Sequence, residues 1–130
     1  YRHAVRSAGA DRLSLITDAM AAGGIRDGRY TLGALAVEVV DGVARVAGTD
    51  TIAGSTATMD RVFRFAVEHS GLPRDQSLMQ AVRQSSVNPA RALGLPVADL
   101  VAGAANLVVL DAALAVTGVL HRGQWLVEPS

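Results

Sequence analysis

Apolar residues follow different rhythms along this chain, and each rhythm predicts an element. Leu13-Ser14-Leu15-Ile16-Thr17 is a near-continuous apolar run of the length of a short buried strand. Asp18 ends it, and the small, pliable stretch Ala19-Met20-Ala21-Ala22-Gly23-Gly24 follows. Asp27-Gly28 is a turn signal before Tyr30-Thr31-Leu32, and Asp41-Gly42 separates Ala36–Val40 from Val43–Ala47. Asp-Gly between two β-branched runs predicts a hairpin, because both turn positions suit positive φ.

The rhythm then changes to a helical one. Met59, Val62, Phe63, Ala66 and Val67 fall on one stripe of a helix, with Ser55 or Thr56 expected to cap its start and Asp60 at the positive end of its dipole. Gly71 and Pro73 stop it. A second helix is predicted from about Asp75, with Leu78, Met79, Val82 and Ser86 facing inward. Asn88-Pro89 predicts a third, short helix, Asn as cap and Pro at the first helical position, ending at Gly94. Strands are predicted over 106–111, 116–121 and 124–127, the last two joined at Arg122-Gly123. Tyr1 to Gly9 reads as the last turns of a helix, with Arg6 near its end and Gly9 past it. A helix without its beginning, in a chain without an initial Met, predicts a piece of something longer. The chain changes character near position 94, from helices beside one strand to a β ending.

Composition narrows the chemistry. The 130 residues carry no net charge and every basic side chain is Arg, scattered and without interleaved aromatics. No nucleic-acid surface is indicated. Cysteine is absent, which removes disulfides, thiolate nucleophiles and Cys-based zinc sites together and suits a cytoplasmic protein. No apolar stretch approaches a membrane span.

Candidate chemistry centres on Asp18. A strand that delivers a carboxylate to its C-terminal end, followed by a glycine loop, is how α/β barrels and open α/β sheets present catalytic groups. A strand-end Asp that caps the next turn has the same pattern. His3, His69 and His121 lie on a helix end, a helix's polar side and a β ribbon, so they read as surface or structural residues. Asp27, Asp41, Asp50, Asp99 and Asp111 read as turn residues. Gly54-Ser55-Thr56 could face an anion with backbone N–H groups, or form a tight entry into a capped helix.

Several segments, in order, resemble one family. Leu15-Ile16-Thr17-Asp18-Ala19-Met20-Ala21-Ala22-Gly23 and Ile52-Ala53-Gly54-Ser55-Thr56 are similar to the catalytic strand and a substrate loop of N-acetylglucosamine-6-phosphate deacetylases, which are amidohydrolases. Ser86-Val87-Asn88-Pro89-Ala90-Arg91-Ala92-Leu93-Gly94 and Asn106-Leu107-Val108-Val109-Leu110-Asp111 are shared more widely across amidohydrolases. The family's enzymes are about three times this length, on the scale of a barrel with insertions.

The resemblance implies an α/β fold: residues 1–94 as the C-terminal part of a (β/α)8 TIM barrel and 95–130 as the closing strands of a small β-sandwich domain. It implies a metal-dependent hydrolase that takes the acetyl group from N-acetylglucosamine 6-phosphate. Asp18 would be the catalytic acid and base, and Ile52, Ala53 and Gly54 would contact the substrate, Ile52 standing where the family has Leu. A divalent metal ion, zinc or iron, would be held by a Glu and two His upstream of this chain, with no metal ligand within it. A homodimer, a small amino-sugar phosphate as partner, and neither nucleic acid nor membrane are expected. Without metal ligands, the chain alone is expected to be inactive. The segments shared across the superfamily also fit an amidohydrolase acting on cyclic amides, and an Asp18 that only caps a turn fits a non-catalytic α+β module.

Overall fold

The computed structural model describes residues 1–96 and 106–129. In chain order these form α1 (Arg2–Ala8), a 3-10 turn (Ala10–Arg12), β1 (Gly28–Leu32), β2 (Leu35–Val40), β3 (Val43–Val46), α2 (Met59–His69), α3 (Arg74–Val82), a π-helical turn (Arg83–Val87), α4 (Asn88–Ala92), β4 (Leu107–Leu110), β5 (Val116–His121) and β6 (Gln124–Val127). The fold is α/β, with two separate three-stranded antiparallel sheets, β1-β2-β3 and β4-β5-β6. Two compact units divide the chain: Ile16–Val62, and Tyr1–Leu15 together with Phe63–Ser130. Asp99 lies outside the described residues.

The unit Ile16–Val62 is organised by the predicted hairpin. Asp41 and Gly42 both take positive φ, 51° and 71°, which matches the turn to the twist of β2 and β3. The Asp27 carboxylate secures that turn by accepting the Asp41 N–H at 2.6 Å and the Gly42 N–H at 3.0 Å. Alternate residues of β2 point one way: Val37 and Val39 are buried, and with Ala44 they pack on Met20, Ala22 and Ala53. Tyr30 and Val46 flank this cluster. The core is small in volume, so its side chains bring main chain close to main chain.

The run 13–17 is not a strand in a ladder. Leu15 is buried, but Ser14 and Ile16 are exposed and no residue of the run is paired in a sheet. A strand exists through its hydrogen-bonded neighbours, and this run finds none among the described strands. What it has are single contacts, described below.

In the other unit, α1 ends at Gly9 as expected; of the predicted stripe of α2, Phe63, Ala66 and Val67 are buried, whereas Val62 is half-buried and Met59, in the first turn, is exposed. The inward face of α3 is not the predicted one. Met79, Val82 and Ser86 are exposed and Leu78 is half-buried, while Ser77, Ala81, Gln84 and Asn88 are buried. These four are spaced as one helical face, and that face meets main-chain and hydroxyl groups that need polar partners. Tyr1 Oη donates to Gln84 Oε1 at 2.6 Å and accepts from Gln80 Nε2 at 2.8 Å. Asn88 Nδ2 donates to the Ala10 and Leu13 carbonyls at 2.9 and 2.6 Å. Hydrophobic periodicity cannot register a face buried for its hydrogen bonds. Asn88 is also no cap: its φ and ψ, −65° and −45°, are helical, and the π turn runs directly into α4. Gly94, at φ 69°, ends that helix where expected.

Strands β4, β5 and β6 fall within a residue or two of their predicted ranges, with Arg122-Gly123 turning between the last two. Removing the side chain that secures the first hairpin gives a test of the fold. Asp27→Ala is expected to cost the protein about 1 kcal/mol, as a shift in the urea midpoint at unchanged slope.

Candidate active site

Asp18 is a non-glycine residue at φ 50°, in the left-handed region. Asp tolerates that region better than most residues do, because its short polar side chain can bond locally. The turn exposes Asp18 directly before the buried Met20.

Ser55 holds the turn in place. Its N–H donates to the Asp18 carbonyl at 3.0 Å, and its carbonyl accepts the Met20 N–H at 2.9 Å, which makes a parallel bridge centred on Ala19 and Ser55. One step on, the Gly24 N–H reaches the Thr56 carbonyl at 3.0 Å. The segments 18–24 and 54–56 therefore run side by side. Ser55 Oγ accepts the Ala57 N–H at 2.9 Å, and Thr56 Oγ1 donates to the Gly42 carbonyl. Neither side chain caps α2, which begins only at Met59. Both are occupied in holding the loop.

The approach of the two segments requires Gly54. Its φ is 78°, and a Cβ there would lie 3.3 Å from Met20 Cβ and 3.4 Å from the Asp18 carbonyl oxygen. Ala53 is buried in the core and its N–H donates to the Ala44 carbonyl at 3.0 Å. Ile52 is bridged to Arg45 through the main chain and leaves its side chain 65% exposed. Asp18 and Gly54 are thus adjacent, and Ile52 is an open apolar side chain two residues away along the loop. Sequence reasoning did not assign Ser55 its backbone role, although the Gly-Ser-Thr run marked the loop.

Among the described residues no side chain forms an ion pair or hydrogen bond with the Asp18 carboxylate. Nor does any group of three or more His, Asp or Glu come together there in a way that could hold a metal ion. His69 is committed elsewhere, with Nδ1 2.9 Å from the Phe65 carbonyl and its ring stacked on Phe65. His3 and His121 are exposed. The described residues of this chain do not fit a metal centre.

A solved structure from Mycobacterium smegmatis superposes on 98% of this chain with a TM-score of 0.93 and 67% identity. It is an aspartate-to-alanine mutant of N-acetyl-D-glucosamine-6-phosphate deacetylase in complex with N-acetyl-D-glucosamine-6-phosphate. An Escherichia coli (strain K12) relative, provisionally named an N-acetylgalactosamine-6-phosphate deacetylase, is 39% identical over 120 residues, 88% of this chain and 67% of the relative. The chain belongs to the N-acetylglucosamine-6-phosphate deacetylase family. A Bos taurus deacetylase of that name is 41% identical over 121 residues, 89% of this chain and 29% of its own length. The chain spans about a third of the Mycobacterium smegmatis structure, 34% of it. No family model matches, and no helix among the described residues is long and apolar enough to cross a membrane.

Gly54→Ala tests the geometry of this loop. It is expected to destabilise the protein by about 1–2 kcal/mol through the left-handed backbone alone, read from the urea midpoint. An unchanged midpoint would show that position 54 does not need the left-handed conformation.

Proposed function

We infer that this chain carries the proton-transferring aspartate of an enzyme that hydrolyses N-acetylglucosamine 6-phosphate to glucosamine 6-phosphate and acetate. The observation that carries the reading is Asp18 itself: an exposed carboxylate, without a side-chain partner among the described residues, on a left-handed turn that Ser55 clamps from both sides. The reading is supported by 67% identity to a chain solved with that sugar phosphate. Curated relatives named for the galactosamine isomer stand at 39% and those named for the glucosamine isomer at 38–41%, so the choice of the glucosamine substrate rests on the 67% match. Residues 1–94 are assigned to the C-terminal part of a (β/α)8 barrel and 95–130 to the closing strands of a small β domain. A homodimeric cytoplasmic enzyme completes the assignment.

The chemistry asked of Asp18 is a relay. An amide resists attack by neutral water, and its amine is a poor leaving group unless protonated. As water oxygen bonds to the acetyl carbon, Asp18 takes a proton from it. As the carbon–nitrogen bond breaks, the electron pair goes to nitrogen and Asp18 returns the proton there. Acetic acid and the amine result, and the acid's remaining proton passes to the amine to give acetate and an ammonium group. A divalent ion, when bound, would acidify water and polarise the carbonyl, and no group of ligands for it occurs among the described residues. In the loop, contact with the sugar and acetyl group falls to the exposed Ile52 side chain and the Gly54 main chain, while Ala53 anchors them in the core.

Asp18→Asn in the intact protein tests this. Asn tolerates the left-handed turn as Asp does, so stability should hold while kcat for acetate release falls by about 10²- to 10⁴-fold. Retention of full activity would sink the assignment.

A further inference from the structure

The run leading into Asp18 belongs to no sheet among the described residues, yet its main chain is held at defined points by one short stretch of helix. In an α-helix the carbonyl of residue i receives the N–H of residue i+4. For Gln84 that donor is Asn88, but the Asn88 N–H goes to the Arg83 carbonyl in the π turn. The π-type donor for Gln84 would be residue 89, which is proline and has no N–H. The Gln84 carbonyl is therefore left without either helical donor, on a residue that is fully buried and out of reach of water. The Leu15 N–H fills the vacancy at 2.9 Å.

Asn88 completes the anchor. Its side-chain amide spends both N–H bonds on the Ala10 and Leu13 carbonyls, and its own Oδ1 is left buried without a partner. An unpartnered buried oxygen is costly, and the amide is held that way round because its neighbours are two acceptors. The Arg83–Asp11 ion pair at 2.8 Å adds an exposed and weaker tie. Residues 10, 13 and 15 are thus each seated by the stretch 84–88, and Asp18 follows three positions further along the chain.

We propose that Asn88 and Pro89 are positioning residues for the proton relay: the proline liberates the Gln84 carbonyl, the asparagine supplies two donors, and together they seat the main chain that leads into Asp18. The proposal rests on the relay assigned to Asp18, and its test separates the two. Pro89→Ala restores an N–H at position 89, which in the π register is the donor for the Gln84 carbonyl, so it competes with the Leu15 N–H for that acceptor and loosens the hold on Leu15. Alanine also favours the helix more than proline does, so thermal stability should hold or rise.

A merely structural proline predicts activity that follows stability. The positioning role predicts that, in the intact protein, Pro89→Ala lowers kcat about ten- to a hundredfold with KM within about threefold and Tm not reduced. Asn88→Ala should lower kcat in the same way; should that variant fail to fold, Pro89→Ala decides alone. In an Asp18→Asn background, Pro89→Ala should have no further effect on the residual rate, since the group it positions is gone. Wild-type kcat in Pro89→Ala, or a full additive loss on top of Asp18→Asn, would overturn the proposal while leaving Asp18's role intact. Wild-type kcat in Asp18→Asn would instead overturn the relay, and the positioning role with it.

Discussion

Ser55 grips the main chain on both sides of Ala19, and the candidate site takes its shape from that exchange. One N–H and one carbonyl of a single residue fix the Asp18 carbonyl and the Met20 N–H within hydrogen-bond distance. Between those two points the chain must turn sharply enough to take Asp18 to φ 50°. A left-handed residue with a side chain stores about 1 kcal/mol or more of strain, and it persists where surrounding contacts over-determine it. Here those contacts are the Ser55 pair on one side and the burial of Met20 on the other. The result is an exposed carboxylate with no side-chain partner among the described residues.

Close approach of backbones underlies the same region. Ala22, Ala44, Ala53 and Gly54 occupy positions where larger residues would drive the segments apart. Val37 and Val39 provide the apolar floor, and Asp27 ties the hairpin turn that carries it. The small side chains that fill this core also permit the close hydrogen bonds between its segments, so geometry and stability depend on the same residues.

The helical face Ser77-Ala81-Gln84-Asn88 works by another principle. It is buried, yet two of its four members are amides, because what it covers is irregular main chain with unpaired donors and acceptors. A proline that in most helices would only be a defect here creates the acceptor that Leu15 needs. Local disruption in one element supplies order in another.

Much of this was legible without coordinates. The Asp-Gly hairpin, the β ending with its Arg-Gly turn, the Phe63-Ala66-Val67 stripe and the stops at Gly9, Gly71 and Gly94 follow from local rules: turn chemistry and burial of apolar side chains act within a few residues. Asp18, Gly54 and their neighbours could be singled out as a strand-end acid and a small-residue loop. What local rules could not decide is where polar groups find partners. Whether 13–17 is a strand, which face of α3 is buried, whether Asn88 caps a helix or serves a distant loop, and that Ser55 rather than a neighbouring strand holds Asp18, all depend on hydrogen bonds between residues far apart in the chain. Hydrophobic burial leaves a period in the sequence; a long-range hydrogen bond leaves none, and only the tertiary structure assigns its other end.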